Sequence, residues 1–322
     1  MTPCIPRLHL FEIADQPWFP AFLRAYVQTG LTHAWTTHIP VLQTSSPATH
    51  VANILRRELG STSASSYTYI DFCAGAGGPT PYIERALNQQ LRSPSSPQPP
   101  SYAAVASQSP NDDTTTTTQH PPSPPNTDQG VKFVLTDLHP HVESWEKAAR
   151  ASPHLTYVST PVNAADAPPE LITQHKAAGK GVFRLFNLAF HHFDDELARA
   201  ILKNTVETSE GFGIFELQSR NLSSFVSCML FGFFIFLIAP LLYWWSPQIL
   251  FFVYVVPIVP FVLVFDGLIS SLRTRTADEI EVLLRTCGAA DTVDWTVYSG
   301  SETFLWPCGY LTWIICTKKR NG

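Results

Sequence analysis

The chain of 322 residues is poor in cysteine and in net charge, and over one long stretch it carries no charge at all. Its six cysteines are scattered, without a Cys-x-x-Cys pair or a zinc-ligand spacing. Neither a disulfide framework nor a zinc module is therefore expected. The formal net charge of −5 leaves no basic excess to attract nucleic acid. Lys318, Lys319 and Arg320 read as a solvated tail. The opening residues, MTPCIPRLHLFEIADQPWF, hold no apolar run of the length a secretory signal needs. Any membrane contact must then come from inside the chain.

Composition shifts twice. From about Ser93 to Gly130 proline, serine and threonine dominate, including a run of five threonines. Such a segment buries too little apolar surface to offset its ordering entropy, and residues 93–130 are expected to be a disordered loop. From Ser224 to Phe265 no charged residue occurs. This stretch divides at Trp244-Trp245-Ser246-Pro247-Gln248 into two apolar arms of roughly 17–20 residues, near the minimum for crossing a bilayer. Both ends of the 222–265 insert join a single domain, so the arms must form a hairpin that either spans or re-enters.

Elsewhere the pattern alternates. Strands are predicted at 67–73, 132–136, 155–159, 181–187, 212–217, 294–298 and 311–317. Helices are predicted at 79–91, 141–151, 194–208 and 277–287. Continuous apolar strands alternating with helices imply a doubly wound, mostly parallel α/β sheet buried on both faces. Residues 1–60 read as a helical cap over the mouth of that sheet, and 61–322 as the sheet domain with its two inserts.

Ligands of open α/β sheets sit beyond the carboxyl ends of the strands. The first predicted strand is followed by Asp71-Phe72-Cys73-Ala74-Gly75-Ala76-Gly77-Gly78-Pro79. Small residues there allow close backbone approach, and the next helix offers free N–H groups. Asp137 follows the second strand, where a carboxylate either holds the two hydroxyls of a ribose or caps a helix. Asp166, in Asn163–Pro168 after the third strand, is either an adenine contact or a plain loop aspartate. Asn187, His191 and His192 follow the fourth strand. A neutral histidine there suits a general base, and equally suits a purely architectural role. A metal site from His191, His192, Asp194 and Asp195 is not expected, because adjacent side chains tend to diverge. Glu216 and Arg220 follow the fifth strand; they are candidate substrate contacts or, with Arg273, ion-pair anchors for the hairpin.

In DFCAGAGGP, Asp137, NAADAP and FNLAFHHF the chain resembles the class I, Rossmann-like S-adenosylmethionine-dependent methyltransferases. FEIADQPWFP (Phe11–Pro20) and FDGLISSLRTRTADEIEVLL (Phe265–Leu284) resemble a little-characterised bacterial and fungal branch of that family. The resemblance implies a seven-stranded sheet with an antiparallel last strand. It also implies a cofactor site in which Asp71, Cys73, Ala74, Gly75 and Gly77 surround the methionine part. Asp137 and Leu138 would then meet the ribose, Ala165 and Asp166 the adenine, and Asn187 the reacting centre. Cys73 stands where the family often has glycine.

The hairpin turns this into an expectation about substrate. Trp244, Trp245 and Tyr243 suit a membrane–water interface, and Arg220 and Arg273 bracket the hairpin on the side of a cytoplasm-facing domain. A membrane-associated methyltransferase acting on a lipophilic small molecule or lipid is expected. The alternatives are a non-catalytic, cofactor-binding membrane interaction protein and, on a poorer glycine match, a nicotinamide-dependent oxidoreductase. Two buried helices or a subunit interface are the alternatives for the hairpin itself. Oligomeric state, acceptor atom and the particular membrane leave no mark in the sequence.

Overall fold

A computed structural model describes residues 3–92 and 130–319. The expected 93–130 loop thus falls, but for Gly130, outside the described residues.

Seven strands form one sheet: β1 (Tyr67–Phe72), β2 (Phe133–Thr136), β3 (Leu155–Tyr157), β4 (Gly181–Asn187), β5 (Gly211–Glu216), β6 (Trp295–Leu305) and β7 (Gly309–Lys318). Their spatial order is β3-β2-β1-β4-β5-β7-β6. β1 to β5 pair in parallel, while β7 runs antiparallel to both β5 and β6. The last hairpin is longer than its apolar core suggests, since β6 continues to Leu305 along an edge whose residues are mostly half-buried or exposed.

The strands are apolar in continuous runs because each face is covered. One face carries Ile70, Phe72, Val182, Phe186, Phe212 and Ile214. The other carries Tyr67, Tyr69, Phe133, Leu135, Phe183 and Leu185. Three helices cover the first face: α6 (Pro169–Ala177), α7 (Asp195–Thr208) and α11 (Ala277–Arg285). The second face meets α2 (Pro47–Leu59), α4 (Thr80–Arg92) and Trp145 of α5 (Val142–Arg150). α2 is therefore a layer of the sheet domain and not part of a separate cap. A short α3 (Ser61–Ser65) leads from it into β1. α6 has no counterpart in the predicted elements, since PELITQHKA is short and has little amphipathic pattern.

The remaining N-terminal helix, α1 (Ala21–Thr36), packs on the apolar insert. The first arm is α8 (Leu222–Tyr243), 22 residues long with Pro240 inside it. The return arm is broken. It begins as α9 (Pro247–Leu250), widens into a π-turn at Phe251–Val255, and resumes as α10 (Ile258–Arg273) after a bend of 66°. Pro257 opens α10, where a missing N–H costs least. α10 runs on to Arg273, eight residues beyond the expected edge at Phe265, because Asp266, Ser270 and Ser271 are satisfied inside the protein. Gly232 of α8 lies against Val264 of α10 so closely that an added Cβ would meet its Cγ2 at 2.2 Å.

Candidate active site

The strand order reverses between β1 and β4, and the site is built where their carboxyl ends diverge. After β1 the backbone turns left-handed at Cys73 (φ 68°), Gly75 (φ 52°), Gly77 (φ 105°) and Gly78 (φ 46°). Cys73 thus occupies a conformation that favours glycine, as does Leu188 (φ 53°) directly after β4. Two strained non-glycine residues at facing strand ends mark a site whose backbone is held by its surroundings. Trp145 Nε1 donates to Gly75 O at 2.9 Å, which fixes the loop. A Cβ added at Gly75 would meet open space.

Beneath this loop lie three polar side chains. Thr80, the first residue of α4, donates its hydroxyl to Asp71 Oδ2 and accepts from Asn187 Nδ2 at 3.0 Å. Asn187 Nδ2 also faces Asp71 Oδ2 at 3.4 Å. Asp71 Oδ1 and Asn187 Oδ1 are buried acceptors without a partner among the described residues. Burial pushes the Asp71 carboxyl up to about 7, against the hydrogen bonds from Thr80 and Asn187 and helped by the nearby Asp137. Burial also holds the Cys73 thiol in its neutral form.

Asp137 follows β2 and accepts from Gly75 N–H at 2.8 Å and from His139 N–H at 2.8 Å. It therefore tethers the glycine loop and is not a helix cap. Leu138 beside it is exposed. Val162 N–H donates to Asp137 O at 2.9 Å, which brings the turn Asn163–Asp166 alongside. In that turn Asn163 Oδ1 accepts from Ala165 N–H, and Asp166 is exposed. Asp71, Cys73, Ala74, Gly75, Gly77, Asp137 and Asn187 are thus gathered at one end of the sheet. Leu138, Ala165 and Asp166 lie on its open rim.

Arg184 on β4 carries no signal in the sequence beyond its charge in an apolar strand. It is fully buried, and it donates to Ala164 O, Ser209 Oγ, Asn204 Oδ1 and Thr208 Oγ1. Its guanidinium lies over the Phe72 ring at 4.4 Å. It thereby fixes the 163–166 turn from below. With no carboxylate partner among the described residues, burial lowers its pKa to about 9.

The second half of the site follows β4. The rings of His191 and His192 do not diverge; they lie 4.2 Å apart in a 3-10 turn (Phe190–His192). His191 is buried, with Nδ1 at 2.9 Å from Glu216 Oε2. His192 is a third exposed, with Nδ1 at 2.9 Å from Asp15 Oδ2. Both Nε2 atoms face Glu12, at 3.6 and 4.0 Å. Burial raises Glu12 to about 7 and Glu216 to about 8, and burial beside Arg273 lowers His191 to about 3. Asp15 is held below the usual carboxylate range: burial pushes it up, but the His192 hydrogen bond together with the charges of His192, Arg273 and His191 outweighs that.

Glu12 and Asp15 come from an irregular strap, residues 3–20, laid over the base of the hairpin. Cys4 N–H bonds Arg220 O, Leu8 N–H bonds Leu272 O, and Ile13 and Ala14 N–H bond the Asp266 carboxylate. No ligand signal marks this strap in the sequence, because Glu12 is remote in the chain from both histidines.

Four further residues weighed in the sequence have protein partners of their own. Arg220, a candidate substrate residue, pairs with Glu279 at 2.5 Å and holds the hairpin base against α11. Asp194 caps α7 through Leu197 N–H, and Asp195 pairs with Arg7 and Arg275, so neither joins the histidines. Glu216 meets His191 from behind.

One cavity of about 470 Å³ connects the parts. Cys73–Gly75, Asn187 and Leu188 line one end, and Glu12, Asp15, His191 and His192 the middle. Between α1 and the hairpin the lining is mostly apolar, with Phe231, Ile235, Ile238, Val259 and Leu263 on it beside Thr29 and His33 of α1.

No protein-family model and no curated protein matches the sequence. Solved structures with a similar fold include human N-acetylserotonin methyltransferase in complex with SAM (11% identity, TM-score 0.39, covering 85% of this chain and 54% of that one). A second is magnesium protoporphyrin IX methyltransferase from Synechocystis PCC 6803 with bound SAH (9% identity, TM-score 0.43, covering 95% and 91%). A third, from Rhodobacter sphaeroides, is described as a Zn-dependent alcohol dehydrogenase (10% identity, TM-score 0.39, covering 90% and 98%). The chain spans about half the length of the human enzyme. Likeness at this level carries no function. The strand order, with β7 antiparallel between β5 and β6, defines the class: a class I methyltransferase-like α/β fold.

Proposed function

We propose that the protein is a membrane-associated S-adenosylmethionine-dependent methyltransferase whose acceptor is a lipophilic small molecule or lipid. The observation that carries this reading is the continuity of one cavity from the glycine loop to the apolar space between α1 and the hairpin. Such a cavity offers a polar end for a methyl donor and a greasy end for its acceptor.

The residues present fit the cofactor. Two orphaned buried acceptors, Asp71 Oδ1 and Asn187 Oδ1, call for a donor such as the ammonium of an amino acid. The loop above them is open at Gly75. When bound, the cofactor supplies an electrophilic methyl group on a sulfonium. In this reading Asp71, Cys73, Ala74, Gly75, Gly77 and Asn187 hold its amino-acid part. Asp137 and Leu138 meet the ribose, and Ala165 and Asp166 flank the adenine. His191 and His192 stand between donor loop and apolar chamber, where an acceptor is oriented and activated. Glu216 acts on the acceptor only through His191, and Arg220 serves the hairpin.

The insert supplies the membrane contact. α8 is long enough, at roughly 1.5 Å per residue, to cross a hydrocarbon core of about 30 Å. Met229, Phe233, Leu237 and Leu241 project from it into open space, with Trp244 and Trp245 exposed at the turn. The bend in the return arm fits a broken span or a re-entrant loop. Arg220 and Arg273 lie at the base, on the side of a cytoplasm-facing sheet domain.

Calorimetric titration of detergent-purified protein with S-adenosylhomocysteine tests the cofactor, and transfer of labelled methyl to a lipid extract tests the acceptor. Folded protein that binds no S-adenosylhomocysteine would refute the reading. The protein would then stand as a membrane interaction protein. Release from membranes by alkaline carbonate would refute the embedded hairpin.

A further inference from the structure

The cluster in the middle of the cavity has a geometry that acid–base chemistry does not use up. His191 and His192 each have one ring nitrogen tied to a carboxylate, Glu216 and Asp15 respectively, both at 2.9 Å. This orients both Nε2 atoms toward the same carboxylate, that of Glu12. At 3.6 and 4.0 Å those contacts are too long to be hydrogen bonds. Glu12 itself is held in place through Oε1, which accepts from Ser270 Oγ at 3.0 Å and Arg273 at 3.2 Å. Its Oε2 accepts no hydrogen bond among the described residues. Three donor atoms thus converge without bonding one another, each carried by a side chain fixed from behind.

We propose that Glu12, His191 and His192 form a binding site for a divalent first-row transition metal ion, with Glu216, Asp15, Ser270 and Arg273 as the groups that orient its ligands. One ligand atom from each of the three residues lies within 4.8 Å of the others. A tetrahedral ion with bonds of about 2.0–2.1 Å requires donors about 3.4 Å apart. The 3.6 Å contact from His191 reaches Glu12 Oε1 and the 4.0 Å contact from His192 reaches Oε2; gathering one atom from each residue, now within 4.8 Å of one another, requires closures of up to about 1.4 Å, which side-chain rotation supplies.

The chemistry of the donors selects the ion. Two imidazoles and one carboxylate suit Zn²⁺ or Fe²⁺ and are poor for Mg²⁺ or Ca²⁺, which prefer oxygen. A ligating histidine regularly gives its other N–H to a carboxylate, and both histidines have that partner here. Charge points the same way. Three carboxylates, Glu12, Asp15 and Glu216, surround the histidines, and Arg273 is the one guanidinium in contact with them among the described residues. Arg275 is committed to Asp195. In their ionised forms, which a bound dication favours by displacing protons, these carboxylates leave a surplus that the ion balances.

The site has a use in the proposed reaction, and for that use alone it rests on the methyltransferase reading. Three protein ligands leave at least one coordination position, and the residues line the cavity between donor loop and apolar chamber. A polar atom of an otherwise greasy acceptor, held at that position, is presented to the glycine-loop end of the cavity.

The test uses the full chain in detergent, stripped with chelator and titrated with Co²⁺, Zn²⁺ and Mg²⁺ in the absence of any cofactor. About one Co²⁺ per chain, matching a single site, is expected, with the visible d–d absorption of a nitrogen-ligated site. Zn²⁺ should displace it and raise the melting temperature, whereas Mg²⁺ should do neither. His192→Ala, at the most exposed ligand, should abolish the absorption. Asp15→Asn, which leaves all three ligands, should weaken binding by roughly 10- to 100-fold. Wild-type protein that shows neither Co²⁺ absorption nor a thermal shift with Zn²⁺ would overturn the proposal, as would Co²⁺ binding unchanged in His192→Ala. Titration of the same sample with S-adenosylhomocysteine separates the two readings: cofactor binding without metal sinks the metal site alone, and metal without cofactor sinks the methyltransferase.

Discussion

Replacing Asp71 by asparagine should make the unliganded protein more stable and at the same time unable to hold its cofactor. Asp71 is buried under the glycine loop, and its carboxyl is pushed up to about 7 from 3.8. A group whose acid form is favoured by folding binds more protons in the folded than in the unfolded state. Its stability contribution is therefore lost as pH rises from about 4 to about 7, and stays lost above that. A rise of that size is equivalent to about 4 kcal/mol at most. Asparagine keeps the shape and can still accept from Thr80 and Asn187, but cannot ionise. It adds one amide donor to a buried place, which costs about 1–3 kcal/mol if unmet. The pH dependence survives this offset. The gain in stability of the variant at pH 8 should exceed its gain at pH 5 by about 3 kcal/mol, several degrees in melting temperature for a chain of this size. Thermal melts of both proteins in one detergent at the two pH values read this directly. S-adenosylhomocysteine at saturation should raise the melting temperature of wild type and leave the variant unmoved. A stability difference that is the same at both pH values would refute the assignment of Asp71 as a buried, ligand-seeking carboxyl.

Asp137→Ala removes the proposed ribose acceptor and frees Gly75 N–H; loss of charge-assisted hydrogen bonds worth about 1.5–3 kcal/mol each should weaken S-adenosylhomocysteine by at least roughly tenfold by calorimetry. Gly232→Val forces a Cβ into Val264 and should part α8 from α10, costing about 1–3 kcal/mol and exposing the hairpin to protease in detergent. Arg184→Lys cannot reproduce a four-partner fork stacked on Phe72 and should cost about 2–4 kcal/mol, with the melting temperature as readout.

The glycine loop, Asp71 and Asn187 are legible in the sequence because their roles are local: each sits within a few residues of a strand end whose apolar run announces it. The alternation of strand and helix is legible for the same reason, and the antiparallel β7 follows from the resemblance. Glu12 and Asp15 are invisible. They reach the site on a strap without regular structure, held by single backbone bonds to Arg220 and Leu272 and by two N–H bonds to the Asp266 carboxylate, and no periodicity encodes such a path. The histidine pair misleads because adjacent residues diverge in strands and helices, whereas the 3-10 turn at Phe190–His192 lays the two rings side by side. The end of the insert misleads for a different reason. Asp266 marks a return to polarity, yet its charge is consumed by Ile13 and Ala14 N–H, so the helix continues through it.

Arg273 shows why the insert and the polar cluster are parts of one device. It is the last residue of α10 and hence the end of the hairpin's return arm. From there its guanidinium donates to His191 O at 3.2 Å, His192 O at 2.9 Å and Glu12 Oε1 at 3.2 Å. Sliding α10 by a single residue moves that guanidinium by about 1.5 Å, enough to break all three bonds. The strap is pinned to the same helix through Asp266 and Ser270. The position of the hairpin therefore sets the spacing of Glu12, His191 and His192 directly, through two side-chain anchors less than three helical turns apart. A polar cluster built on the base of an apolar hairpin is correctly formed only when the hairpin is correctly seated. Activity gained on membrane insertion would need no lid and no moving loop.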